Sequence, residues 1–117
     1  HKGHKKYRIL VDIDGSIPDE TLSAASNQLT GATIHQRTPI RVAHRRADKV
    51  RERVVLDFRC AGKEENLFAV EVTGEAGLYI KELISGDQGR TTPSLSEILG
   101  TPARVVQLDV VDVQGIE

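Results

Sequence analysis

The chain has 117 residues, about the size of one ordinary domain, which leaves room for one hydrophobic core and excludes two. A single cysteine excludes an internal disulfide framework, and no apolar run approaches the roughly 20 residues of a membrane helix, so a soluble, cytoplasmic protein is the expectation. Net charge is only -1, yet seven Lys or Arg between His35 and Arg53 face only Asp48 and Glu52, a local excess of five, and the remainder of the chain sums to -6. A basic block of this kind suits a polyanion, whose counterions it displaces, and it equally suits a solvated face. The chain lacks Met and begins at His1, as a processed product or a piece of something longer does.

Tyr7, Ile9, Val11 and Ile13 recur with period two and predict a half-buried strand ending at Gly15. A short helix follows. Pro18 suits its first position, Asp19 and Glu20 suit its positive N-terminal end, Leu22, Ala25 and Leu29 share one face, and Gly31 stops it. The stretch "ATIHQRTPIRV" is rich in branched residues but interrupted by Pro39, so it reads as an edge strand or extended loop carrying the basic block. "HRRADKVRER" admits a short helix or a turn. "RVVLDFRCAG" and "NLFAVEVTGE" alternate around the polar "KEEN" and predict an antiparallel hairpin, with Cys60 as a small buried side chain.

In "GLYIKELISG", Leu78, Lys81 and Glu82 are i, i+3, i+4 neighbours and Gly86 is placed as a C-cap, which predicts a helix of about two turns. "TTPSLSEILG" predicts another, from Pro93 or Ser94 to Gly100, and "ARVVQLDVVDV" a last strand. Strands followed by short helices, without regular strand-helix alternation, predict an α+β fold on a mainly antiparallel sheet, with no internal repeats or linkers.

Two chemistries compete for the first strand. "ILVDIDGS" is similar to the first motif of haloacid dehalogenase-type phosphatases, which would make Asp12 a nucleophile beside Asp14. Such a site also needs magnesium, a Ser or Thr, a Lys and a late acidic pair. "ISGDQGRTT" offers Asp87, but Thr91 and Thr92 stand where the second acid belongs, and the parallel strand-helix units of that fold are missing. Asp12 and Asp14 therefore read as outward-facing polar residues, with Asp14 and Gly15 making a turn.

The stretches "RTPIRVAHRRADKVRERVV", "GLYIKELISGDQGRTTPS" and "LDVVDV" together resemble the C-terminal part of the catalytic domain of the archaeal and eukaryotic tRNA pseudouridine synthases that modify positions 54 and 55 of the tRNA arm. The resemblance spans nearly the whole chain. It implies an α+β unit around a long, curved, mostly antiparallel sheet with an RNA-binding cleft on one face. It also implies a reaction without cofactor or metal, in which a uracil is flipped out, detached, rotated and rejoined to its ribose through carbon 5.

On this resemblance Tyr7, in "KKYRILV", holds the target ring, since an aromatic face suits an unstacked base. From the residues alone, Tyr7 equally reads as an ordinary core side chain. Lys81 corresponds to the basic residue that pairs with the nucleophilic Asp, Ile80 lines the uracil pocket, and Tyr79 is either part of that pocket or plain core. Without the family, Lys81 beside Glu82 reads as a surface ion pair of small value. Arg41, His44, Arg45, Arg46 and Arg90 are expected to contact tRNA phosphates, positioning the arm rather than reading bases, and Asp87 to fix its turn.

The family's nucleophilic Asp belongs to a motif before the Tyr strand, and only six residues precede Tyr7. Residues 1–117 are therefore expected to be a single-domain fragment, the second half of a catalytic domain, inactive alone and completed by the remaining N-terminal half. The family's N-terminal RNA-binding region, with Cys pairs for zinc, is likewise outside it. The alternative is a non-catalytic RNA-binding module.

Overall fold

The computed structural model describes residues 3–64 and 67–114. The chain runs β1 (His4–Ile13), α1 (Asp19–Leu29), β2 (Thr33–Arg37), β3 (Val50–Glu64), β4 (Leu67–Glu75), α2 (Ile80–Ser85), β5 (Thr91–Thr92), α3 (Leu95–Leu99) and β6 (Ala103–Gln114), with 3-10 turns at Ile40–Val42 and Asp87–Gly89. The strands form one sheet in the order β5-β2-β3-β4-β1-β6, and every neighbouring pair is antiparallel.

The period-two pattern decides which face is buried. Ile9 and Val11 on β1 lie opposite Val70 and Phe68 on β4, and all four are buried. Leu22, Ala25 and Leu29 of α1, Ile80, Leu83 and Ile84 of α2, and Leu95 of α3 join them in one cluster. The helices thus share one side of the sheet, and each fully buried aliphatic side chain contributes about 1.5–3 kcal/mol. The other side is polar. There Glu71 sits directly between Arg8 and Arg59, bonded to them at 2.8 and 3.2 Å, and the Arg8 hydrogen bond, ahead of the other nearby cations, holds its carboxyl below the usual range.

Several elements differ from the reading of the sequence. The segment around Pro39 is not an edge. β2 is bonded on one side to β3 and on the other to β5, because Pro39 falls two residues beyond the strand and removes no ladder bond. "HRRADKVRER" is a turn at its start and strand from Val50. Pro18 precedes α1 rather than opening it, in extended conformation. Cys60 is exposed, not buried. It lies on the helix-bearing face of β3, at the rim of a groove of about 640 Å³ between α1 and the β3–β4 hairpin. Its thiol is 3.7 Å from the Ser26 hydroxyl, and its partial burial pushes the thiol pKa up. Asp12 pairs with Arg104 on the neighbouring β6, and Asp14 is exposed in the turn after β1. The tip of the β3–β4 hairpin falls outside the described residues.

The two short helices have the ends their sequences call for. Ser94 caps α3 by accepting from the Glu97 N–H, and Gly86 closes α2 at φ +84, its N–H donating to the Glu82 carbonyl at 2.7 Å. A Cβ on Gly86 would also meet the Ser94 hydroxyl at 2.9 Å. Gly86→Ala is therefore expected to lower stability by about 1–3 kcal/mol through left-handed strain and this close contact, read by urea denaturation.

Candidate functional site

The basic block becomes a loop between β2 and β3 with a tightly bonded base. The Thr38 hydroxyl donates to the Ala47 carbonyl at 2.6 Å and accepts from the Lys49 N–H at 3.1 Å, closing both ends of the loop with one side chain. Arg37 forms a two-pronged bond to Asp48 at 2.9 and 2.8 Å. Arg90 reaches in from the far side, donating from Nε and Nη2 to the Thr38 carbonyl at 3.1 and 2.7 Å. It also lies 3.7 Å from both Asp48 and Asp87. Asp87 holds its turn against this loop by accepting from the Ile40 N–H at 3.1 Å. Past this base, His44, Arg45 and Arg46 are exposed, and their side chains bond no described residue.

Helix α2 stands beside the loop and is held by it. Gln36, 1% exposed, places its amide against the backbone of Tyr79: Nε2 donates to the Tyr79 carbonyl and Oε1 accepts from the Tyr79 N–H, both at 2.9 Å. One turn on, Glu82 is buried, with its side chain 5% exposed, and takes two bonds from Arg41, from Nε at 2.8 Å and Nη2 at 3.3 Å. The Glu82 hydrogen bond raises the pKa of Arg41 above its ordinary value. Arg41 also lies 5.8 Å from the Tyr79 ring centre, and Arg51 approaches the Tyr79 hydroxyl at 3.5 Å, so the ring is flanked by two guanidinium groups. Glu82 thus pairs across the loop and not with its neighbour Lys81. Lys81 is exposed and bonds no described residue, whereas Ile80 beside it is buried.

Tyr7 lies on the helix-bearing side of the sheet, opposite Val72 on β4 and Val110 on β6. It is half-buried and packs against the core, and burial pushes its hydroxyl pKa up, so the ring stays neutral at ordinary pH. Leu78, which leads into α2, covers Gly74, one pleat along β4 from the residue opposite Tyr7. Tyr7 and the entry to α2 therefore occupy one region of one face.

The structure thus brings Tyr7, Tyr79, Ile80, Lys81 and Arg41 to the same side, with His44, Arg45 and Arg46 on the adjoining loop. Arg90 lies beneath that loop, bonded into its base. Three participants escape a reading of the sequence. Gln36 looks like any polar residue of a strand, Glu82 looks like a surface partner of Lys81, and Arg51 is one of several arginines. Only the polar position at 36 within an apolar alternation hints that its side chain is satisfied inside.

The architecture is shared with solved structures. A chain in the "Crystal Structure of a Cbf5-Nop10-Gar1 Complex" superposes with a TM-score of 0.74 at 27% identity, over 94% of this chain and 30% of that one. The shared architecture is an α+β unit on a six-stranded antiparallel sheet with a few short helices. Among sequence relatives, the tRNA pseudouridine synthase Pus10 of Halorubrum lacusprofundi is 49% identical over 98% of this chain, and that of Archaeoglobus fulgidus 50% identical over 93%. The family described as "Pus10, C-terminal" matches residues 1–114. The chain belongs to the Pus10 family, as its C-terminal domain. It spans 27% and 30% of the length of those two relatives.

The two arginine environments predict different responses to truncation. Arg41→Ala strands the buried Glu82 carboxylate and is expected to cost about 2 kcal/mol of stability. Arg45→Ala, at an unpaired exposed site, should stay within about 0.5 kcal/mol, and urea unfolding of both variants reads the difference.

Proposed function

We propose that this domain is the part of a cytoplasmic tRNA pseudouridine synthase that presents the target uridine, in the TΨC arm at position 54 or 55, to an acid carried by the rest of the protein. The observation that carries the reading is the joint between a cation-bearing loop and a helix whose exposed Lys81 has no carboxylate partner among the described residues. A lysine so placed is available to a carboxylate from elsewhere, and an opposite charge within a few ångströms favours the ionised form a nucleophilic Asp needs. Tyr7 supplies a neutral, partly covered ring for the flipped base, and stacking of this kind is worth about 1–3 kcal/mol. Ile80 and Tyr79 form the adjoining wall of the pocket.

The loop supplies the RNA contacts. His44, Arg45 and Arg46 reach phosphates, with Arg41 and Arg90 contributing chiefly by holding the loop in shape. The reaction is an isomerisation: the bond from N1 of the uracil to the ribose breaks, the uracil turns, carbon 5 joins the ribose and gives up its proton, and N1 gains a proton, so the composition is unchanged. It needs no cofactor and no metal.

Residues 1–117 are in this reading a fragment of the catalytic domain. The remaining N-terminal half meets it at β6, which pairs only with β1 among the described strands and exposes Val106, Val110 and Val111. A free strand edge of this kind accepts a further strand. A non-catalytic RNA-binding module is the second reading, favoured by the same free cations on the loop, and it assigns Lys81 no chemical role.

In the complete protein, Lys81→Ala should abolish pseudouridine formation while tRNA binding persists. Arg45→Ala should weaken tRNA binding and lower its salt slope by roughly one ion, with little change in turnover of bound tRNA. A product assay and a salt series of binding measurements check both, and wild-type turnover in Lys81→Ala would refute the enzymatic reading.

A further inference from the structure

A uridine site built on Lys81 and Ile80 needs both residues held in place. Helix α2 has only six residues, too short to hold its own direction through a backbone ladder. Its entry residue, Tyr79, has extended backbone, φ -84 and ψ 107, so its N–H lies outside the helix ladder while its carbonyl belongs to the first turn. The carbonyl accepts from the Leu83 N–H at 3.1 Å, and the N–H is taken up by a side chain, Gln36.

We propose that Gln36 is a positioning residue for the uridine site, acting through the Tyr79 peptide on the placement of Ile80 and Lys81. This rests on the reading of Lys81 given above. The amide is suited to the task because it is both donor and acceptor, and here each half meets its complement at 2.9 Å. It is 1% exposed, so water does not compete, and its strand is bonded on both sides, to β3 and β5. Thr91 of β5 lies 3.4 Å from the same Nε2, which leaves the amide a single satisfied orientation. A two-point contact fixes distance and rotation together. A carboxylate of similar length cannot donate and accept in this way without taking up a proton. Gln36 itself stays away from the reacting atoms, because its bonding capacity faces the backbone.

The test uses the full-length enzyme. Gln36→Met keeps the length and unbranched shape of the side chain and removes both bonds. Its kcat is expected to fall about 10- to 100-fold, as misplacement of a catalytic group by about an ångström does, while the KM for tRNA stays within about two-fold. Hydrogen exchange should rise in a peptide spanning residues 76–83 and remain unchanged in peptides from β1 and β4. Unchanged kcat, or kcat and KM moving together, would overturn the proposal. If Gln36→Met does not fold, Gln36→Glu carries the test: it retains the acceptor for the Tyr79 N–H and loses the donor, so kcat should drop at constant KM, and wild-type kcat would overturn the assignment. Lys81→Ala measured alongside separates the two failures. An active Lys81→Ala removes the site reading and this proposal with it, whereas an inactive Lys81→Ala beside a fully active Gln36→Met removes the positioning role alone.

Discussion

The attachment of α2 to the β2 strand and the loop behind it is the constraint on which the rest of the site depends. A helix of six residues contributes little stability of its own, and its direction is whatever its neighbours impose. Three contacts impose it: the Gln36 amide at its entry, the Arg41–Glu82 pair in its first turn, and the left-handed Gly86 at its exit. Two of the three come from one stretch, residues 36–41, so the helix is tied to the base of the basic loop. Burying Ile80, Leu83 and Ile84 then leaves Lys81 on the open side.

The basic side chains in and around this loop divide into two kinds. Arg37, Arg41 and Arg90 are committed to Asp48, Glu82 and the Thr38 carbonyl, and they build the scaffold. Arg45 and Arg46 stay at the tip beside His44, where their charge is uncompensated by any described side chain. Net charge close to zero hides this arrangement, since the acidic residues that balance the block lie on other elements. A polyanion approaching the tip meets a local field set by unpaired cations and not by the sum over the chain. The Arg41–Glu82 pair shows the opposite case, in which a buried carboxylate requires its cation and occupies two of its donors.

Much of the fold follows from local rules visible in the sequence. The period-two runs of β1, β3 and β4, the apolar stripe of α1, and the caps at Ser94 and Gly86 all act within a few residues of themselves. The site is written at longer range. Arg41 and Glu82 are 41 residues apart and Gln36 and Tyr79 are 43 apart, and no periodicity connects them. Glu82 beside Lys81 suggested a neighbour pair because nothing local reveals that one of the two side chains turns inward. Cys60 and Pro39 failed for a related reason. Burial at Cys60 depends on how closely α1 packs against β3, and the tolerance of Pro39 depends on where the strand ends. The catalytic assignments of Tyr7 and Lys81 came from family motifs, and the placement of Tyr7 beside the entry to α2 on one face is a condition those assignments must meet.

The central claim is that this domain contributes a ring and a cation to a uridine site whose acid lies elsewhere in the protein. A structure of the complete protein bound to its tRNA tests it most directly. The account predicts a flipped base against the Tyr7 ring, with the Lys81 ammonium in contact with a carboxylate from outside residues 1–117. A target base lodged away from Tyr7, or Lys81 facing solvent with that carboxylate paired to another cation, would contradict it.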